Sequence, residues 1–405
     1  MTNTQIQANR VQVRVPHISL LRCGSALLAL LAATAQAQFQ IQTTNTTASF
    51  RGIHALSPQL AWASGTAGTV LRTTDGGTTW QSCTTPPGAE KLDFRGIQAF
   101  DEKTAIVMSS GKGDLSRLYK TTDACQSWTL LFTNPDPKGF WDAIKFRTRA
   151  EGVLLGDPVD NIFVVLLTFD GGSKWEKQTL RTTQDINGEG AFAASNSSLL
   201  LEKWPGYRRF CTGGKSGPRV IAFYSSLAND TLDLAPDTAK LHYFPELNAE
   251  KLQTKEIPNE SGGCFSIADD NAGVTTVAVG GNYKQPNDRA DTAWTTASMT
   301  SRAKDWNLFH LSQTPPHGYR SSVAYDPITA TWITVGPNGT DISTDDGRNW
   351  HPLEPGPTET PDTAQNWNAL SLPFVVGPKG RIGKLKPNIL KAAALKPTAK
   401  PKASR

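Results

Sequence analysis

The chain has 405 residues, 38% of them hydrophobic and 19% charged, with 34 glycines, 26 prolines and a formal net charge of +5. That length can bury a large core, and the glycine and proline content excludes a mainly helical protein in favour of many strands and tight turns. The positive charge sits at the two ends, leaving a net acidic body for which no nucleic-acid partner is expected.

Residues 1–37 hold Arg10, Arg14 and Arg22, no acid, the apolar run Ala26 to Ala33 and the small-residue site Ala35-Gln36-Ala37. This reads as a secretory signal peptide cleaved before Gln38, so the mature chain is expected in the periplasm or outside the cell. The other apolar run, Ile162 to Thr168, is too short to span a bilayer and reads as a buried strand. No transmembrane segment is expected.

From residue 38 onward two signals alternate. Phe50-Arg51-Gly52-Ile53 and Phe94-Arg95-Gly96-Ile97 are near-copies, and unit starts follow at Trp141-Asp142-Ala143-Ile144, Glu189-Gly190-Ala191-Phe192, Gly263-Cys264-Phe265-Ser266, Arg320-Ser321-Ser322-Val323 and Asn366-Trp367-Asn368-Ala369. Most units are about 45 residues long, the length of a four-stranded propeller blade. Later in the unit comes Ser/Thr-x-Asp-x-Gly-x-x-Trp, carried by Asp75 with Trp80, Asp170 with Trp175 and Asp345 with Trp350. The copy at Asp123 and Trp128 lacks only the glycine, and a weaker one ends at Trp306. The aspartate caps its own turn, the glycine permits positive φ and the tryptophan packs on a neighbouring repeat, so these residues are read as architecture.

The fourth unit carries a degraded turn near Ser225 and a polar insertion over about 232–260, and the fifth a loop, Gly280 to Pro286, whose Tyr283 overhangs the central cavity. The last unit stops short and needs an outer strand, which Phe39 to Thr43 can supply. The expectation is therefore an all-β, seven-bladed propeller of four-stranded blades over 38–385, closed by its N-terminal strand. A basic, disordered tail is expected over 386–405, able to touch an anionic envelope weakly.

Cys83, Cys125, Cys211 and Cys264 remain after the leader. Adjacent blades could join Cys83 to Cys125, leaving Cys211 with Cys264; free buried thiols are the alternative. No metal-ligand spacing occurs, so neither a metal nor a cofactor is expected.

The aspartate-tryptophan turns resemble the Asp-box, or bacterial neuraminidase repeat. Together with the unit starts, Leu155-Gly156-Asp157-Pro158 and the closing Val376-Gly377-Pro378-Lys379-Gly380-Arg381-Ile382, they resemble photosystem II stability/assembly factor-like propellers in a secreted bacterial form. That resemblance implies a non-catalytic scaffold, expected as a monomer, which holds a protein partner or an anionic or glycan ligand at an arginine-rich channel mouth. Unit starts converge at such a mouth, giving Arg51, Arg95, Trp141, Asp142, Asp157, Glu189, Tyr283, Tyr319 and Arg320 as candidate binding residues. Sialidases share the turns. In that alternative Asp142 is the acid, Tyr319 with Glu189 the nucleophile pair, and Arg51, Arg95 and Arg320 the triad that grips a carboxylate.

Overall fold

A computed structural model describes residues 38–178, 186, 188–203, 206–224, 248–254, 259–297, 308–353 and 361–394. The signal peptide, the turn near Ser225, most of the insertion, Trp306 and residues 395–405 lie outside the described residues.

Antiparallel neighbours in sequence pair into meanders. The first sheet runs Phe50–Ala55, Ala61–Gly65, Val70–Thr73, Gln81–Ser82, and three others repeat the pattern from Phe94–Ala99, Trp141–Phe146 and Ser322–Asp326. A fifth joins Phe39–Gln42 to Ile382–Leu385, followed by Phe374–Val376 and Ala369–Ser371. The expected seven separate blades are thus five four-stranded sheets and, over residues 189–311, one nine-stranded sheet. The physical reason is the pairing Gly213↔Gly263. With no side chain on either residue the two backbones meet directly, whereas a Cβ on Gly213 would fall 2.5 Å from the Gly263 Cα.

The first strands of successive sheets touch in a closed circuit: Phe50–Ala55, Phe94–Ala99, Trp141–Phe146, Leu199–Leu201, Gly262–Asp269, Ser322–Asp326, Ala369–Ser371 and back to Phe50–Ala55. Between the sheets lie apolar layers, each filled from both sides; one holds Trp62, Phe94, Ile97, Val107 and Tyr119. The inner edge of each sheet has backbone amides that need partners. Side chains of adjacent inner strands supply several of them. Ser371 Oγ accepts from Ala55 N–H (3.0 Å), His54 Nδ1 from Ala99 N–H (2.8 Å) and Gln98 Oε1 from Phe146 N–H (3.2 Å).

The aspartate turns share one bonding pattern. Thr73 Oγ1 donates to Asp75 Oδ1 (2.8 Å) and accepts from Gly77 N–H (2.8 Å), while Asp75 Oδ1 accepts from Thr79 N–H (2.9 Å). Thr121 and Asp123, Thr168 and Asp170, and Ser343 and Asp345 repeat it. The Thr79 hydroxyl and amide hold Asp75 at about 2, and Ser127 does the same for Asp123. The indoles of Trp80, Trp128 and Trp350 are buried against the preceding sheet, Trp80 edge-on to Phe374 at 5.7 Å.

Two further expectations are corrected. Part of the supposed insertion is structural, because Asn248–Lys251 pairs with Arg219–Tyr224 and Leu252 is buried. The tail is ordered at its start. Ile389–Ala394 is a short helix, and Ile389 and Leu390 are buried with Ile333, Ile342 and Leu353, since two adjacent apolar residues gain more from that cover than the polar residues around them lose. Cys83 is bonded to Cys125 and Cys211 to Cys264.

Candidate functional site

The mouth at which the inner strands begin is shaped by β-bulges. Pairing slips by one residue between Phe50 and Gly52, Phe94 and Gly96, Trp141 and Ala143, and Cys264 and Ser266. A fifth slip, between Gly156 and Pro158, lies in the second strand of the third sheet. The extra residues are Arg51, Arg95, Asp142, Phe265 and Asp157. A bulge re-aims its extra side chain, so the residues flanking it stay in the core while these five leave the alternation.

Electrostatics place them together. Arg51 is lowered by burial and then by the neighbouring Arg95 guanidinium, with Asp93 and Tyr319 acting the other way. Arg95 donates through Nε to Asp93 at 2.7 Å, whereas among the described residues Arg51 has neither a hydrogen bond nor an ion pair. Asp142 is buried, and burial followed by the Asp157 charge raises it well above the carboxylate range despite Arg95. Its Oδ2 has no hydrogen-bond partner. Burial also raises Asp157, to about 6, although it accepts the Ala191 N–H at 3.0 Å.

An aromatic wall stands beside these charges. Phe192 stacks on Phe265 with centroids 3.8 Å apart, Tyr319 meets Phe265 edge-on at 4.8 Å, and Tyr283 approaches the same ring at 6.1 Å. Burial raises Tyr319, so its phenol is neutral. Phe192, Phe265 and Asp93 were missed by the sequence reading; the signal available was that Phe265 occupies the place of Arg51 and Arg95 in its unit.

Three expected residues do other work. Trp141 is buried and stacked on Phe132 at 5.6 Å, on the core side of its bulge, so it offers no face to a ligand. Arg320 is fully buried, donating through Nε to Asp341 at 2.8 Å and through Nη1 to the Tyr319 carbonyl at 2.8 Å. Counted back from Val323, which matches Ile53, it holds the position of Phe50, a core position. Glu189 accepts from the Thr212 hydroxyl and pairs with Arg219 at 3.2 Å, so the Tyr319–Glu189 nucleophile pair and the three-arginine set are not assembled.

Below the mouth, the fourth unit's inner strand is interrupted between Glu189–Gly190 and Leu199–Leu201. The intervening chain crosses the channel. Asn196, at φ 59°, accepts the Ile144 N–H at 2.8 Å and donates to the Ile97 carbonyl at 3.3 Å. Ser195 donates to the Ser321 carbonyl at 2.6 Å, and Ser197 meets Ser266 at 2.7 Å. These bonds tie opposite sides of the ring at the level of Ile97 and Ile144, between the bulges and the His54, Gln98 and Lys145 positions.

Among the described residues no group of three or more metal-ligating side chains occurs, and no helix is long and apolar enough to cross a membrane. No family model and no curated protein matches the chain. Among solved structures, YCF48 bound to D1 peptide is similar over 86% of this chain and 96% of its own, with 15% identity and a TM-score of 0.56. YCF48 from Cyanidioschyzon merolae is similar over 87% and 99%, with the same identity and TM-score. That likeness shows the fold, an all-β propeller with four-stranded blades, and at the level of the fold it agrees with the photosystem II assembly factor-like resemblance.

Proposed function

We propose that this protein is a secreted or periplasmic, non-catalytic propeller that holds an anionic group of a protein partner at the bulge-lined mouth. We read the nine-stranded sheet as two blades joined at Gly213 and Gly263, a reading supported by the circuit of seven inner strands, and take Phe39–Gln42, paired with Ile382–Leu385, as the closing strand. One observation carries the functional reading: the guanidinium of Arg51 is largely withdrawn from water, sits beside Arg95 and, among the described residues, makes no direct hydrogen bond or ion pair, feeling Asp93 only at a distance. A desolvated, unpaired guanidinium is unfavourable until a carboxylate or similar anion occupies it, and its planar fork suits a bidentate partner. Phe265, Tyr283 and Tyr319 give an adjacent face for apolar parts of the same segment. The fold likeness to a YCF48 structure with a bound peptide supports a peptide as the occupant.

The hydrolase reading is weaker. Arg95, Arg219 and Arg320 already pair with Asp93, Glu189 and Asp341, and Asp142 is buried rather than set in an open cleft. The test is fluorescence anisotropy with a library of labelled decapeptides, each in acid and amide C-terminal forms, plus a panel of fluorogenic glycosides including a sialoside. Acidic or carboxylate-ended peptides should bind, and Arg51→Ala should weaken them roughly tenfold or more, the scale of one charge-assisted bond. Glycoside turnover lost on Asp142→Asn would replace this reading with a hydrolase.

A further inference from the structure

On the far side of the Ser195–Ser197 crossing, the ring of bonds between inner strands breaks at Lys145. Ser371, His54 and Gln98 each present an acceptor to the next strand's amide. Lys145 holds the corresponding place in Trp141–Phe146, two residues after Ala143 as His54 and Gln98 follow Gly52 and Gly96. An ammonium has three donors and no acceptor, so it cannot continue the ring. Its side chain is partly covered by protein, yet among the described residues it makes no hydrogen bond and has no carboxylate within 4.0 Å.

A second donor faces the same space. His54 Nδ1 takes the Ala99 N–H at 2.8 Å, which fixes the neutral imidazole with its proton on Nε2, and Nε2 has no partner. The two groups feel each other: burial and then the Lys145 charge lower His54 to about 4. Burial likewise lowers Lys145. Asp269 faces the compartment from the fifth unit but is not in ion-pair range, and its carboxylate accepts the Asn271 N–H at 3.3 Å. Burial raises Asp269, which reduces the negative charge it opposes to an incoming anion.

We propose that this lower compartment is a binding site for a small oxyanion, held by the Lys145 ammonium and the His54 Nε2–H. It is separate from the upper mouth, because the Asn196 and serine crossing lies between them. The ligand is small, since a ring of inner strands bounds the space on its sides.

The site is tested by isothermal titration of the mature protein with sodium phosphate and, separately, sodium acetate, at ionic strength held constant with sodium chloride. An Arg51→Ala, Arg95→Ala background removes any contribution from the upper mouth. One saturable event should persist in that background, disappear in Lys145→Met and weaken at least tenfold in His54→Phe. Phosphate should raise the melting temperature of the wild type and leave that of Lys145→Met unchanged. Binding by phosphate alone marks a phosphate-type ligand, and binding by both marks any oxyanion. The proposal is overturned if neither anion binds, if Lys145→Met binds as the wild type does, or if chloride gives the same stabilisation. Should Lys145→Met fail to fold, Lys145→Gln, which keeps a polar side chain, gives the same readout.

Discussion

Arg320 and Asp341 form a fully buried ion pair, with the Arg320 Nε 2.8 Å from Asp341 Oδ2 and His317 Nδ1 2.7 Å from Asp341 Oδ1. Removing one member strands the other's charge without water. Arg320→Ala should therefore lower stability by about 3–5 kcal/mol, while an Arg320→Met, Asp341→Leu double variant should regain most of the loss. Urea unfolding of the three proteins decides this, and a double variant no better than the single one would show that the pair itself is indispensable.

The carboxyls of Asp142 and Asp157 are both raised, Asp157 to about 6. Their folded values lie above the ordinary unfolded value of about 3.9. The Asp157 contribution is then full below about pH 4 and is lost as pH rises through about 6, and Asp142 acts in the same direction. Wild-type melting temperature should decline between pH 5 and 7.5, and Asp157→Asn should flatten that slope. An unchanged slope in the variant would remove Asp157 from the account.

The bonded pair Cys83–Cys125 spans 42 residues and links the first and second units; Cys211–Cys264 spans 53 and links the fourth and fifth. Cross-links of that span stabilise by about 2–4 kcal/mol through the unfolded chain. Cys83→Ser with Cys125→Ser should lose about that much, and dithiothreitol should lower the wild-type melting temperature but have less effect on the double variant. Equal melting curves with and without reductant would show that the bonds contribute nothing.

Asn196→Ala leaves the buried Ile144 N–H and Ile97 carbonyl without partners, which costs about 1–3 kcal/mol per group. Hydrogen exchange at the Ile144 amide should accelerate strongly in that variant. Protection unchanged from the wild type would mean that the crossing is held by the serines alone.

Much of the architecture was legible because it repeats. The aspartate turns use local chemistry, side chain to backbone within five residues, and such chemistry shows in sequence wherever it recurs. Arg51, Arg95 and Asp142 stood out because their unit starts recur, and Asp157 because it lies in the Leu155-Gly156-Asp157-Pro158 turn. What was not legible depends on single-residue slips. Alternation alone cannot tell Arg51, displaced by a bulge, from Arg320, which lacks one and lies in a core position. Trp141 and Glu189 were misplaced for the same reason: a start motif marks where a strand begins, not which side chain turns toward the axis. The channel crossing had no signal, since Ser195-Asn196-Ser197 reads as an ordinary turn until its partners in four other units are known.

The sheet that joins Phe39–Gln42 to Ile382–Leu385 unites two stretches more than three hundred residues apart in sequence. During synthesis the first strand emerges early and must wait for nearly the whole chain before its partner exists. Its hydrogen-bonding edge stays open throughout that interval, a hazard that favours delayed folding and assistance from a holding chaperone. That sheet therefore completes as a late event after synthesis, however early the other sheets form.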